Sequence, residues 1–283
     1  IKWGVPGCNI LTTADTAFCL PSAEKSPLQK IRSGNYAKTK KPVIGIAYKE
    51  LSWWPITVNL VKYLRASKHM HFNSIYYHTW NKARAEQSKN LKVFIADLAD
   101  QFVQKYAAEI VLIAMESMDY QPCVDVSGLM HAPSFIIDAD RYTAEEMATA
   151  LRSLDFLVTT RFHAAVLSME TGVPFVALSH DERLQFLVEE INPNQPIYYD
   201  YRSLHSEEGR LAFLDTVKQT YENPDQLSSR LKTLQLALSE KSARNELYFT
   251  QFLKERFPDL LREEIVEPAL ELPASPVPTA VSQ

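Results

Sequence analysis

Glycine is scarce in this sequence, 7 in 283 residues. Neither G-x-G-x-x-G nor G-x-x-x-x-G-K-[ST] occurs, which excludes a dinucleotide fingerprint and a P-loop, since both place glycines where backbone must approach phosphate. Cysteine is scarcer still. Cys8, Cys19 and Cys123 form no C-x-x-C pair, so neither a disulfide framework nor a structural zinc site is expected, and the widely spaced thiols fit a reducing, cytoplasmic setting. His69, His71 and His78 lie in a polar region without ligand-like spacing, and no metal or other cofactor is called for. No apolar stretch approaches the roughly 20 residues that span a bilayer, so no transmembrane segment is expected. Positive charge is not in excess: 30 Lys and Arg against 34 Asp and Glu give a net charge of -4. The basic residues are scattered rather than striped, which argues against a nucleic-acid partner.

What remains is ordinary globular composition, 46% hydrophobic and 23% charged. The length suits one large domain, or one domain with part of another. The chain opens on Ile1 in mid-pattern, and an N-terminally truncated product is the expectation. Ile10–Thr13 reads as a strand, and residues 22–41 read as a polar linker. Pro42–Tyr48 reads as an apolar strand that opens a fresh domain, with Lys49 and Glu50 at its carboxyl end. Residues 56–66 and 91–106 read as helices, the second with Phe94, Leu98, Phe102 and Tyr106 at helical spacing. Ile75–Tyr77 is a weak strand signal. Residues 108–115 form a clear buried strand followed by a loop to His131, and Phe135–Ile137 is a short strand. Thr143, with Glu146 three residues on, marks a capping box. Residues 207–221 and 225–256 read as helices broken by Pro224 and Pro258, and the Pro-rich tail 267–283 reads as disordered. Alternation of strands and helices predicts an α/β doubly wound, mostly parallel sheet.

The chemistry concentrates in residues 152–191. Phe156–Val158 reads as a strand, Thr159 and Thr160 as helix-capping hydroxyls, residues 164–170 as a helix stopped by Gly172 and Pro174, and Phe175–Leu178 as the next strand. Arg161 and His163 then fall at a helix N-terminus, and His180, Asp181 and Arg183 end the neighbouring strand. Ligands in open parallel sheets bind just beyond the carboxyl ends of strands, so these residues define the candidate site. Guanidiniums suit planar recognition of carboxylate or phosphate, and a histidine beside them titrates near neutral pH. A surface Arg beside a capping His is the bland alternative for the R-x-H pair taken alone. Residues two apart on a regular helix diverge by about 200°, so Arg161 and His163 converge only if Arg161 belongs to the loop. Trp53 and Trp54 read as packing at a domain edge, with a sugar-stacking platform as the other option, and Glu189-Glu190 as a solvated helix face.

The run from Ser153 to Arg183, with its Asp155…Arg161-Phe-His163…Gly172-Val-Pro174…His180-Asp-Glu-Arg183 pattern, resembles the C-terminal signature of the polysaccharide pyruvyl transferase family. Asp15-Thr-Ala17 resembles the motif that closes that family's N-terminal domain, with Thr16 in place of Pro. Where family members often carry Arg after the first strand of the second domain, Lys49 stands here, a point charge without the bidentate fork. The resemblance implies a GT-B-like fold: residues 1–30 as the end of an incomplete N-terminal α/β domain, and residues 42–257 as a Rossmann-like C-terminal domain with long terminal helices. It further implies a cytoplasmic transferase of polysaccharide biosynthesis, with phosphoenolpyruvate as donor and a sugar or lipid-linked oligosaccharide as acceptor, and hence a place at the membrane periphery. In that reading Arg161, Arg183 and Lys49 bind the donor, His163 is the general acid, and His180 or Asp181 orients it or relays protons. A GT-B glycosyltransferase or nucleotide-sugar epimerase, and a non-catalytic remnant, are the rival readings. The acceptor sugar, ketal linkage and oligomeric state are not legible.

Overall fold

The computed structural model describes residues 11–29, 41–50, 56–58, 76–78, 82–192 and 196–257. Two compact units divide at Ala243 and Arg244, and the site belongs to the first. Six strands form one parallel sheet: β1 Val43–Ala47, β4 Glu109–Ala114, β5 Ser134–Asp138, β6 Phe156–Thr159, β7 Phe175–Ser179 and β8 Tyr198–Asp200. Ile56–Val58 (β2) and Tyr76–His78 (β3) pair antiparallel as a separate two-stranded sheet. The helices are α1 Lys82–Tyr106, α2 Ser117–Leu129, α3 Ala144–Arg152, α4 Phe162–Ser168, α5 Glu182–Ile191, α6 Glu207–Glu222 and α7 Asp225–Arg256.

The spatial order β5-β4-β1-β6-β7-β8 makes the fold doubly wound. The chain steps outward from β1 to one edge, returns to β6 beside β1, and steps outward to the other edge. Between the carboxyl ends of β1 and β6 the order reverses, and in such sheets that crevice is where ligands bind.

Burial on both faces explains the near-continuous apolar runs of β1, β4, β6 and β7, as expected for parallel strands covered by helices. Alternate residues feed two cores. Val43, Val111, Leu157 and Phe175 pack with α3, α4 and the start of α7 through Met147, Val166 and Leu231. Ile44, Leu112, Val158 and Val176 pack with α1, α2 and α6 through Phe102, Cys123 and Phe213. Truncating a fully buried member such as Leu112 to Ala costs about 2–5 kcal/mol by lost transfer energy and the cavity left behind.

The local reading of residues 152–191 largely carries over. Gly172 takes φ +73° at the end of the short 3-10 turn after α4, and a Cβ there would lie 2.7 Å from the Ser228 carbonyl oxygen, so both conformation and space require glycine. Thr143 and Glu146 make the reciprocal capping box. Residues 11–13 are not a strand. Instead Asp15 caps a 3-10 turn, Thr16–Cys19, which presses Phe18 into the first core. Arg152, itself buried, holds the neighbouring segment by donating to the Leu20 carbonyl and Ser22 Oγ, both at 2.7 Å.

Two further readings are corrected. Residues 56–58 are extended rather than helical. The expected loop before His131 is the helix α2, despite Pro122 within it. Glu116 and Asp119 supply a reciprocal capping box at its start, so the first turn closes although Pro122 withholds one N–H. Trp53, Trp54, His69, His71 and residues 267–283 lie outside the described residues.

Candidate functional site

Register places the strand ends level. Ala47 pairs with Thr159, Thr159 with Ala177, and Ser179 with Asp200, so the residues that follow β1, β6, β7 and β8 share one edge. The Thr160 hydroxyl, expected as a helix cap, instead ties β6 to β1. It donates to the Ala47 carbonyl at 3.2 Å and accepts from the Lys49 N–H at 2.7 Å. Thr159 Oγ1 accepts from the Arg161 N–H at 2.9 Å. Arg161 is therefore the N-cap residue of α4, with extended backbone at φ -115° and ψ 128°, and belongs to the loop.

That loop position lets Arg161 and His163 face the same edge, but the Arg161 fork is already engaged. Its Nε donates to Asp119 Oδ2 at 2.8 Å and its Nη2 to Asp119 Oδ1 at 2.5 Å, while Nη1 and Nη2 reach the two Glu116 oxygens at 2.9 and 3.1 Å. Four of its five N–H groups are thus used by two carboxylates at the start of α2. Asp119 is fully buried. Burial pushes its carboxyl up, and the Arg161 hydrogen bonds and charge pull it back down. Arg161 is a clamp between α2 and α4, where the sequence reading had it as an open anion receptor.

Arg183 is paired as well. Asp181, the N-cap of α5, accepts from the Arg183 backbone N–H at 3.0 Å and from its Nη2 at 2.7 Å. The Arg183 guanidinium lies 5.0 Å over the Phe162 ring, a cation–π distance, and also feels the charges of Asp15 and Glu116. Phe162 meets the His163 ring edge-on at 5.3 Å, and His163 Nε2 lies 3.5 Å from Asp15 Oδ2. Arg161, His163 and Arg183 therefore gather about Phe162, Asp15 and Glu116.

Lys49 differs from both arginines. Among the described residues no carboxylate lies within ion-pair distance of its half-buried ammonium. Burial, then the Arg161 charge, lowers its pKa, and Asp119, Glu116 and Asp181 only partly offset this. Beside it, His180 leaves its buried Nδ1 without a hydrogen-bond partner among the described residues. Burial and Lys49 lower the His180 pKa, which keeps the ring neutral near pH 7. Within the described residues, a cation without a carboxylate partner and an imidazole nitrogen without a hydrogen bond stand near the switch point, groups of the kind that mark a ligand site.

All six residues expected from sequence thus stand along one sheet edge. Reading the sequence missed Asp15 as the neighbour of His163, and Glu116 and Asp119 as the partners of Arg161. Only the Asp15-Thr-Ala17 motif hinted at the first. The other two lie 45 and 42 residues from Arg161, with no local signal. Among the described residues, no group of three or more His, Cys, Asp or Glu side chains could hold a metal ion, and no helix is long and apolar enough to cross a membrane.

Fold and site together define a doubly wound α/β protein whose titratable residues converge on the switch point. Its family follows from comparison: the polysaccharide pyruvyl transferase model matches residues 1–182, well over half of the chain, and the chain belongs to that family. The match takes in Asp15, Lys49, Arg161, His163, His180 and Asp181, and ends one residue short of Arg183. No curated protein matches the chain. Among solved structures it is similar to a glycosyl transferase family 9 protein from Veillonella parvula, at 15% identity and a TM-score of 0.40. That alignment covers 80% of this chain and 57% of the other.

Proposed function

We propose that this chain transfers the pyruvyl group of phosphoenolpyruvate to a sugar, forming a pyruvate ketal. Membership of a transferase family supports the reaction class. The observation that carries the donor assignment is Lys49, a half-buried ammonium at the switch point with no carboxylate within ion-pair distance among the described residues. A donor with a phosphate and a carboxylate supplies the missing counter-charge. Arg183 adds a second cation from an exposed position, and Arg161 contributes its field and its one remaining N–H.

In this reading His163 protonates the methylene carbon of the enol while a sugar hydroxyl forms a C–O bond to the adjacent carbon. A second hydroxyl then closes the ketal as the C–O bond to phosphate breaks, and inorganic phosphate leaves. Two hydroxyl protons are released, one replacing the proton given by His163 and the other leaving with phosphate. Neutral His180 is suited to accept one of them, while Asp181, engaged with Arg183, holds the rim of the site. Asp15 Oδ2 lies 3.5 Å from His163 Nε2, close enough to orient the ring.

Phosphate release from phosphoenolpyruvate in the presence of acceptor glycans tests the reading. His163→Gln keeps a hydrogen bond but supplies no transferable proton, so turnover is expected to fall by about 10²–10⁴. Turnover within about threefold of wild type would reject the general-acid role, since that difference is well under 1 kcal/mol.

A further inference from the structure

A cavity of about 330 Å³ opens beside the switch point, between the first half of α1 and the turn that follows β8. Leu91, Phe94, Tyr201 and Leu204 give it an apolar floor. Its rim holds Gln87, Asn90, His205 and Arg210, all exposed, and no acidic residue lines it among the described residues. The rim is chemically unspent. The amides of Gln87 and Asn90 make no hydrogen bond among the described residues, and Arg210 uses only Nε, which donates to the Leu204 carbonyl at 2.6 Å.

The cavity is joined to the catalytic edge through two contacts. The Tyr201 ring meets the His180 ring edge-on at 5.6 Å. Ser88, a buried lining residue, donates to Glu50 at 2.5 Å, and Glu50 directly follows Lys49. Lys92 pairs with the same Glu50 oxygen at 3.1 Å and with Asp125 at 2.8 Å, so a partly buried ionic network keeps that wall in place.

We infer that this cavity is a subsite for a sugar ring of the acceptor, one placed away from the hydroxyls that react. An apolar floor with an aromatic ring suits the C–H face of a pyranose, and a rim of free amides and a guanidinium suits its hydroxyls. The lack of acidic lining favours a neutral or anionic saccharide over a cationic ligand. The volume is at the lower end for small-molecule sites and accommodates one or two rings. The inference rests on the acceptor being a saccharide, as proposed above, and extends it to a place on the carboxyl-edge domain that none of the expected site residues occupies.

Saturation-transfer NMR on the full chain tests it, with maltose, cellobiose and lactose as probes, each at about 10 mM to match the weak affinity of single-ring contacts. At least one disaccharide is expected to give ring-proton signals. Removing one of the floor's two aromatic rings by Tyr201→Ala should weaken that binding by about tenfold or more. Asn90→Glu, an exposed change that leaves the floor intact, should weaken it too, which guards against misfolding of the first variant. Phosphoenolpyruvate binding, followed by calorimetry, should persist in Asn90→Glu and weaken in Lys49→Met, and Lys49→Met should leave the disaccharide signal unchanged. Loss of phosphoenolpyruvate binding in the wild type with disaccharide binding intact would sink the donor reading alone. The subsite is overturned by silence from all three disaccharides, by signals that survive both Tyr201→Ala and Asn90→Glu, or by uridine diphosphate binding where the disaccharides do not.

Discussion

Lys49 and Arg161 follow neighbouring strands of one sheet and carry the same charge, yet their surroundings are opposite. Arg161 spends four N–H groups on two carboxylates, one of them fully buried. Lys49, half-buried, meets no carboxylate within ion-pair distance among the described residues, and its pKa is lowered by burial and by Arg161 itself. The contrast separates two uses of a cation at a ligand-binding edge. A saturated cation fixes the architecture, and an unsaturated one keeps its charge to offer the donor proposed above. Residue type alone would rank them the other way, since a guanidinium is the better receptor for carboxylate or phosphate.

The largest effect is expected from removing the clamp. Arg161→Ala leaves the Asp119 carboxylate buried without a counter-charge, and the expected loss of stability in denaturant titration is about 3–5 kcal/mol. A loss under about 1 kcal/mol would mean that the Arg161 pairs are incidental.

Lys49→Met is the matching test on the other side. Replacing an ammonium that meets no carboxylate among the described residues with an apolar chain of similar length should change stability by less than about 1 kcal/mol, or raise it slightly. Phosphoenolpyruvate affinity by calorimetry should nevertheless fall by about tenfold to a hundredfold, as expected for a lost charge-assisted contact. Unchanged affinity would remove Lys49 from the site.

His180 makes the stability of the fold depend on pH. Burial and Lys49 hold His180 below its ordinary 6.5. The unfolded chain therefore binds this proton at a higher pH than the folded one. The stability conferred by a neutral His180 is complete above about pH 6.5 and is lost as pH falls through the window just below. The slope for one proton cannot exceed about 1.4 kcal/mol per pH unit, and partial exposure of His180 keeps it well under that. Comparing denaturation midpoints of wild type and His180→Gln between pH 7 and 5 checks it. Equal slopes would show that His180 does not titrate in this range.

The smallest effect is expected at Arg183. Its pairing with Asp181 is largely solvent-exposed, so Arg183→Ala should cost less than about 1 kcal/mol in thermal unfolding. A loss comparable to that of Arg161→Ala would make Arg183 a second clamp.

Much of the frame was legible along the chain because it rests on short-range patterns. The apolar runs at β1, β4, β6 and β7 reflect burial on both faces, and the Thr143–Glu146 capping box and the Gly172 stop each act within a few residues. The long helices α6 and α7 declared their limits through Pro224 and their length. The same patterns aligned Lys49, Arg161, His163, His180, Asp181 and Arg183 at strand ends, and a parallel sheet then brings strand ends to one edge. Hidden from any such reading were the helix α2 and the partners of Arg161. Pro122 and Gly128 weaken the local helical pattern of α2. Its start is nevertheless held by Glu116 and Asp119, which cap it and bind a guanidinium more than 40 residues away. That pairing exists because the chain turns back at β6 to lie beside β1, which places α2 and α4 over the same crevice. Local propensity carries no information about which charges a crossover will bring together. Whether a given cation is spent or free is therefore decided by strand order and burial, which no window of sequence contains.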